Sequence, residues 1–246
     1  MRPKFAARRW KRLSDKWKES PYYSRDPSHQ QANLNLRLRR SLSWLERAER
    51  ERKDCDASFV FYWIAFNAAY GQQNTLRGDH DNEKKLFHHY LRQVIASDWT
   101  AFQRATWAHL QSPIESLMRN EHVFQLSWQH QEEGESHQDW KREFNRHKTS
   151  MEDAFRQRTL TLWQDTLCEL FNRLYTLRNQ LLHGGATYRG SVNRTQVEDG
   201  ARIMATLMPC FIEVMIDHPE SDWGLPRYPV RPDVFPRRSG QAGLER

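Results

Sequence analysis

Apolar residues recur every three or four positions in two long segments of the chain, and this pattern predicts two amphipathic helices. In the first, over about 31–52, one face carries Leu34, Leu38, Leu42, Leu45 and Ala48. In the second, over about 159–183, the corresponding face carries Leu167, Leu170, Leu174, Leu177 and Leu181. A helix with 3.6 residues per turn brings each set to one side, so both helices are expected to bury a leucine-rich stripe.

The most apolar stretch of the chain lies between these two segments and predicts a central helix over about 56–70. It runs from Phe59 to Tyr70 and has almost no polar side, so neighbours are expected to pack around it on several sides. Gly71 is a natural stop. A buried strand is the alternative, because the run is rich in residues that favour strands. Its length and its alanine-rich end favour the helix.

A fourth helix is predicted over about 194–217. It begins after Asn193, and Gln196 three residues later completes a capping-box pattern; Pro209 lies inside it. Residues 72–82 read as a loop, and residues 83–160 predict several polar helices. Breaks between those helices are expected near Ser97-Asp98, Ser112-Pro113 and Gly134, and residues 129–138 predict a loop or an insertion. No βαβ alternation or phosphate-binding glycine motif occurs, so the predicted fold class is all-α.

The two ends of the chain differ in character from this helical domain. Residues 1–20 are basic, residues 20–30 indicate a linker, and residues 219–246 predict an extended, proline-rich tail. The predicted organisation is therefore an extension over 1–30, a helical domain over 31–218 with an insertion at about 72–158, and the tail. The basic segment would dock on the body, lie on an anionic surface or contact nucleic acid. Its candidate RNA-binding residues are Arg8, Arg9, Lys11 and Arg12.

Composition and charge limit the kinds of partner, cellular compartment and cofactor that are expected. The 246 residues carry a formal charge of +7, which favours a polyanionic partner or reflects ordinary surface charge. The odd number of cysteines, three, without any CxxC pair, argues against a disulfide framework and fits a cytoplasmic protein. The longest apolar run is too short to span a bilayer, and the N-terminus lacks an apolar signal core. The histidines show no metal-ligand spacing, so neither a metal nor another cofactor is expected.

Helix 159–183 carries the candidate chemistry near its C-terminal end. Asn179 and His183 are four residues apart and share one face, and Arg178 flanks them. An imidazole can exchange protons near neutral pH, a guanidinium matches phosphate geometry, and an amide can hold either group in place. Tyr175 projects from the same side and is a candidate supporting residue. The alternative is that Arg178 and His183 only satisfy the last carbonyls and the helix dipole.

The segment Arg178-Asn179-Gln180-Leu181-Leu182-His183-Gly184 resembles the Rx4H signature of the HEPN superfamily. Asn after the Arg and Gly after the His are typical of that motif, and the apolar helix over 63–70 resembles a helix found earlier in many members. The order of the helices over about 31–71 and 159–217 also follows the family. The resemblance does not extend to the basic N-terminus, to most of 72–158 or to the tail.

This resemblance implies an up-and-down helical bundle that forms a homodimer through its motif helices. It also implies a metal-independent endoribonuclease with Arg178 and His183 as catalytic residues and Asn179 orienting them or binding phosphate. Such proteins include toxins of toxin–antitoxin pairs and antiviral defence effectors, so an antitoxin or defence protein is a possible partner. Gly185 stands where one subgroup has a Tyr that its antitoxin modifies. Other relatives keep the fold without catalysis.

Two further hypotheses therefore stand beside the ribonuclease. One is a non-catalytic module that binds RNA or nucleotides, and the other is a dimeric adaptor whose insertion contacts a protein partner. Asn67, the polar residue of the apolar helix, is a candidate supporting residue that would face the motif helix. The alternative for Asn67 is a core amide or a helix-end cap.

Overall fold

The chain folds as an all-α bundle, which confirms the predicted fold class. The computed structural model describes residues 9–23, 28–72, 80–107, 109–133 and 138–229, without the side chains of residues 29, 80–82, 107, 130–133 and 138–139. Within these ranges it contains a 3₁₀ turn at Glu121–Val123 and ten α-helices: α1 (Arg9–Glu19), α2 (His29–Arg50), α3 (Cys55–Tyr70), α4 (His80–Ser97), α5 (Trp99–Trp107), α6 (Gln111–Met118), α7 (Gln125–Glu133), α8 (Gln138–Gln157), α9 (Leu160–Leu182) and α10 (Arg194–Asp217).

The four helices predicted from periodicity occur within two residues of their expected bounds, and local signals explain where they begin and end. Ser28 caps α2 together with Gln31 in a capping box, and Asp54 caps α3 by accepting from the Ala57 amide. Gly184 follows α9 with a φ of 76°, the left-handed conformation that glycine adopts without strain.

Three local predictions need correction. Asn193 adopts a φ of 60° and makes no side-chain cap for α10, so the predicted capping box is wrong; its amide donates to Gln180 Oε1 at 3.1 Å instead. Much of the loop predicted over 129–138 is helical, because α7 continues to Glu133. The chain breaks before α6 rather than at Pro113, which the first turn of a helix accepts. The break predicted at Gly134 lies outside the described residues.

α3 lies at the centre of the bundle, as its all-round apolar character predicted. The Phe66 ring lies 4.6 Å from the Phe171 ring of α9 and 5.9 Å from the Tyr90 ring of α4, measured between centroids. The leucine stripes of α2 and α9 are buried except for the partly buried Leu181. At Gly200, α10 approaches α9 closely, because a Cβ added there would lie 3.0 Å from Leu177 Cδ2. The core therefore forms where α2, α9 and α10 pack around α3.

Side chains from the predicted extension, insertion and tail enter this same core. The extension contributes Leu13 and Trp17, the insertion contributes Phe87 and Ile114 among others, and the tail contributes Trp223. The extension is thus docked on the body, which was one of its three interpretations. Within the described ranges no helix is both long enough and apolar enough to cross a membrane. Residues 230–246 of the predicted tail lie outside those ranges.

Two arginines of α2 hold the segment that follows α10. Arg37 is fully buried, and it donates from Nη1 to the Ala69 carbonyl at 2.7 Å and from Nε to the Gly224 carbonyl at 3.2 Å. Arg40 donates to the carbonyls of Arg227 and Tyr228. Burial lowers the pKa of Arg37 to about 10. Arg37 therefore joins the end of α3 to the C-terminal segment through a buried charge.

We predict that Arg37→Met destabilises the protein more than Arg39→Met, because Arg39 lies exposed on the same helix. The substitution leaves two carbonyls without their charged donor, a loss of about 2–3 kcal/mol in the free energy of unfolding. Urea denaturation followed by circular dichroism measures it. Equal losses for the two variants would contradict the structural role given to Arg37.

Candidate functional site

The three predicted catalytic residues lie together at the C-terminal end of α9. Arg178 Nη1 donates to Asn179 Oδ1 at 2.8 Å, and the His183 amide donates to the Asn179 carbonyl at 2.9 Å. His183 is the residue that ends the helix, and it is exposed, whereas Arg178 and Asn179 are partly buried. The guanidinium and the amide are therefore fixed against each other, while the imidazole lies at the surface one helical turn further on.

Arg178 is held in place from its other side by Tyr175. The guanidinium carbon lies 5.8 Å from the centroid of the Tyr175 ring, a cation–π distance, and Nε is buried without a hydrogen-bond partner. Arg178 therefore makes one fixed amide contact and keeps further N–H groups. These groups can donate hydrogen bonds to a phosphate oxygen.

Tyr175 itself is a core residue rather than a member of an open polar face. Its exposure is 2 %, and its ring packs 6.0 Å from that of Trp63 and 6.1 Å from that of Phe87. Its hydroxyl donates to Glu83 Oε2 at 3.3 Å, while Tyr70 donates to the other oxygen of Glu83 at 3.0 Å. Burial, together with the charge of Glu83, raises the pKa of Tyr175. The buried ring of Tyr175 therefore provides a fixed surface against which the Arg178 guanidinium packs.

The insertion covers the polar face of α9 further from the motif. His88 Nε2 lies 3.0 Å from Asn172 Oδ1, Asn172 donates to Glu169 Oε1 at 2.9 Å, and Glu169 Oε2 lies 2.9 Å from His147 Nδ1. His147 also lies 3.0 Å from Glu143. Burial opposes ionisation of Glu169, but the interactions with His147, Arg173 and Asn172 together outweigh it, and the pKa of Glu169 lies below its usual range. This polar chain joins α4, α8 and α9.

Arg173 completes the contact between α9 and the insertion. It is 1 % exposed, its guanidinium carbon lies 3.9 Å from the centroid of Phe124 and 5.3 Å from that of Phe144, and two of its nitrogens have no hydrogen-bond partner. Burial lowers its pKa to about 10, against the influence of Glu169. The rings and Glu169 thus replace water around this charge, which attaches α8 and the 3₁₀ turn to α9.

A pocket of about 400 Å³ opens beside Asn179, and we call it the Trp128 pocket. Its walls come from the 3₁₀ turn, α7, α9 and the loop before α10: His122, Gln125, Trp128, Thr176, Asn179, Gln180, Gly185, Val192 and Asn193. Trp128 is 39 % exposed there. The predicted motif therefore borders a space to which the insertion contributes one wall, with His122, Gln125 and Trp128.

The basic residues of α1 bind chiefly to the protein itself. Arg12 donates to both carboxylate oxygens of Glu213 at 2.7 and 2.9 Å, Arg9 donates to the Ala205 carbonyl at 2.8 Å, and Lys16 contacts Glu213 at 3.2 Å. These partners lie on α10. Part of the positive charge that was predicted to attract RNA is therefore used to dock α1 on α10.

Of the other two candidate RNA-binding residues, the structure describes Lys11 alone. Lys11 is paired with Asp15 at 2.7 Å on the exposed side of α1. Arg8 lies outside the described residues. The contact of this segment with RNA stays a prediction.

Asn67 is not joined to the motif by any hydrogen bond in the described part of the chain. Its side-chain oxygen is buried without a hydrogen-bond partner, and its backbone carbonyl accepts from the Gly71 amide at 2.8 Å.

Among the described residues, no three His, Cys, Asp or Glu side chains are grouped as a metal site would need. Of the eleven histidines whose spacing was considered for a metal site, His137 and the side chain of His130 lie outside the described residues.

No protein-family model, curated protein or solved structure matches this chain. The relation to the HEPN superfamily therefore stays a prediction that rests on the motif residues and on the order of the helices.

Several residues around the motif escaped the sequence reasoning. Glu83 joins Tyr70 to Tyr175, but a glutamate in a polar helix carries no signal of such a role. The sequence did offer a signal for Trp128, because a large aromatic residue in a polar segment indicates a specific contact. The segment directly after it, 129–138, was predicted as a loop. Gln180 lies within the motif itself and connects α9 to the insertion by donating to the His122 carbonyl at 2.7 Å.

We predict that Glu213→Gln lowers thermal stability at pH 7 and that its difference from the wild type narrows in acid. The hydrogen bond from Arg12 lowers the pKa of Glu213 to about 2 in the folded state, from an ordinary 4.5. A carboxylate with a depressed pKa stabilises the fold above about pH 4.5 and loses that effect as the pH falls towards 2. Solvent screening limits the effect to about 1 kcal/mol or less.

The measurement is the melting temperature between pH 7 and pH 2.5, with Glu198→Gln as the control. Glu198 lies on the same helix, but its contact with Arg194 is long, at 3.5 Å, and its side chain is mostly exposed. A pH-independent difference for Glu213→Gln would argue against the ion pair as its cause.

Proposed function

We propose that the chain is a metal-independent endoribonuclease of the HEPN type, with Arg178, Asn179 and His183 as its catalytic residues. The observation that carries the proposal is the contact between Arg178 and Asn179 beside a solvent-exposed His183 at the open end of α9. Its support comes from the match of these residues to the Rx4H motif and from the chemistry of the three groups.

In this proposal RNA supplies its own nucleophile. The 2′-hydroxyl gives up its proton and attacks the adjacent phosphorus, the P–O5′ bond breaks, and the departing 5′-oxygen gains a proton. His183 is the proton acceptor or donor, since imidazole exchanges protons near neutral pH. Arg178 stabilises the charge that builds on the phosphoryl oxygens, and Asn179 keeps the guanidinium in position. The products are a 2′,3′-cyclic phosphate and a 5′-hydroxyl.

Only one imidazole belongs to each motif, whereas the reaction moves two protons. A homodimer would solve this by bringing a second copy of the motif to the same cleft. Leu182, the neighbour of His183 in the chain, is 48 % exposed. Contact with a second copy would remove this apolar side chain from water, so we place Leu182 in the proposed interface.

The proposed role in the cell follows from the resemblance, and the proposed cytoplasmic location follows from the cysteine content. We propose a cytoplasmic RNA substrate and a role as a toxin or a defence effector, with an antitoxin or another defence protein as partner. A non-catalytic RNA-binding or adaptor protein is the alternative, and the cleavage experiment separates it from the ribonuclease.

We expect purified protein to cleave single-stranded RNA in EDTA and His183→Ala to reduce the rate by about 10²–10⁴-fold, the usual contribution of a general acid or base. His89→Ala is the matched control, since His89 is exposed on α4 and should leave the rate unchanged. Arg178→Lys should also cleave poorly, because lysine keeps the charge but not the planar fork.

The cleaved ends are read by enzymatic labelling, which distinguishes a cyclic phosphate from a 3′-hydroxyl. Equal cleavage by the wild type and by His183→Ala would end the assignment. Intact RNA with both proteins would favour the non-catalytic alternative.

We also expect Leu182→Glu to convert a dimer into a monomer and to reduce cleavage, because it places a charge in the proposed interface. Leu225→Glu is the control, since Leu225 is an equally apolar residue, 57 % exposed, on the C-terminal segment. Analytical ultracentrifugation measures the mass of each variant. A wild type that sediments as a monomer at all concentrations would contradict the dimer.

A further inference from the structure

The Trp128 pocket differs from the motif beside it in the kind of group it suits. Among the described residues that line it, none is a lysine, an arginine, an aspartate or a glutamate. Phosphate and carboxylate ligands need compensating cations when they leave water, so the pocket does not suit a charged group. It suits a neutral ligand that is apolar on its faces and polar at its edge.

Trp128 supplies a fixed aromatic surface in this pocket. Its indole N–H donates to the His122 carbonyl at 2.7 Å, which restrains the ring although 39 % of the residue is exposed. The same carbonyl accepts a hydrogen bond from Gln180 at 2.7 Å, so the Trp128 ring is connected to α9 through His122. An indole restrained at its polar atom and open to solvent is suited to stacking with a planar ring.

Side-chain amides provide the polar part of the pocket. Gln125, Asn179 and Asn193 line the space together, and an amide offers both a donor and an acceptor. The Asn193 amide is positioned by its hydrogen bond to Gln180 at 3.1 Å. Donors and acceptors around an aromatic surface match the edge and the face of a nucleobase.

The volume of the pocket limits what it holds. About 400 Å³ is at the small end of ligand pockets, which is space for one nucleoside and not for a folded duplex. A base enters such a site only when it is unpaired and turned out of its stack, which is the usual state of sequence-specifically recognised RNA.

We infer that the Trp128 pocket holds one unpaired base of a single-stranded RNA, stacked on Trp128, next to the phosphate bound at Arg178. The inference rests on the proposed function, because Asn179 belongs to both the pocket and the motif. The insertion thus selects the site of cleavage by recognising a base, while the end of α9 acts on the neighbouring phosphate. The enzyme therefore cuts at loops and unpaired segments and prefers one position relative to the bound base.

The test uses binding, so that it does not depend on cleavage. The probe is a single-stranded RNA in which every 2′-hydroxyl is replaced by fluorine, which removes the nucleophile and keeps the bases. Loss of one base stack is expected to weaken binding by roughly 5- to 100-fold in Trp128→Ala. Trp128→Phe keeps an aromatic face and should bind within a few-fold of the wild type. Trp44→Ala is the control, since Trp44 is 36 % exposed on α2 and stacks on Phe61.

A second arm locates the base. A series of probes, each lacking one base, should show one position at which the wild type loses affinity and Trp128→Ala loses none further. Free mononucleotides are measured alongside, and they should bind far more weakly than the oligonucleotide. Circular dichroism and melting curves confirm that each variant is folded.

The outcomes separate the pocket from the catalytic proposal. Binding that Trp128→Ala leaves unchanged, with cleavage that still needs His183, overturns the base pocket alone. Binding that depends on Trp128 in a protein that never cleaves RNA supports the pocket and overturns the ribonuclease. A mononucleotide that binds as tightly as the oligonucleotide, again through Trp128, overturns RNA as the ligand in favour of a free nucleotide.

Discussion

The structure depends on the burial of α9 from two opposite sides. Its leucine stripe packs into the core around α3, where Phe66 and Phe171 are in contact. Its other side meets the insertion through Arg173 and through the polar chain that includes Glu169 and His147. Apolar burial fixes the first contact, whereas a buried charge that must be compensated fixes the second. The end of the helix that carries the motif is packed less tightly, since Arg178 and Asn179 are partly buried there and Leu182 and His183 are exposed.

This arrangement explains why the motif and the insertion act as one unit in the proposed function. The insertion cannot leave α9 without exposing the rings beside Arg173 and breaking the contact between His147 and Glu169. The same insertion supplies Trp128 and the His122 carbonyl that accepts from Gln180 within the motif. In the proposed function, this short contact between a motif residue and the inserted segment would connect chemistry at the phosphate to recognition of a base. Variation in the insertion would then change the RNA that is chosen without changing the proposed catalytic residues.

Part of the charge of the basic N-terminal segment is used by the fold itself. A helix with many lysines and arginines suggested a nucleic-acid surface, yet Glu213 on α10 binds Arg12 and Lys16 and aligns α1 with the body. The partners lie about two hundred residues apart in the chain, so no local pattern reveals them. The charge of α1 therefore has a structural use that the sequence pattern did not reveal, and the contact of α1 with RNA stays a prediction.

Periodicity alone determined the main helices, because a helix buries residues that recur every three or four positions whatever its partners are. It gave the leucine faces of α2 and α9, the central place of α3 and the end of α9 at His183 and Gly184. Tertiary packing decided what those faces meet. Tyr175 left the polar face for the core, Asn193 turned to Gln180 instead of capping its helix, and residues of a predicted loop became α7. Each of these outcomes depends on neighbours distant in sequence, and short-range spacing cannot specify such neighbours.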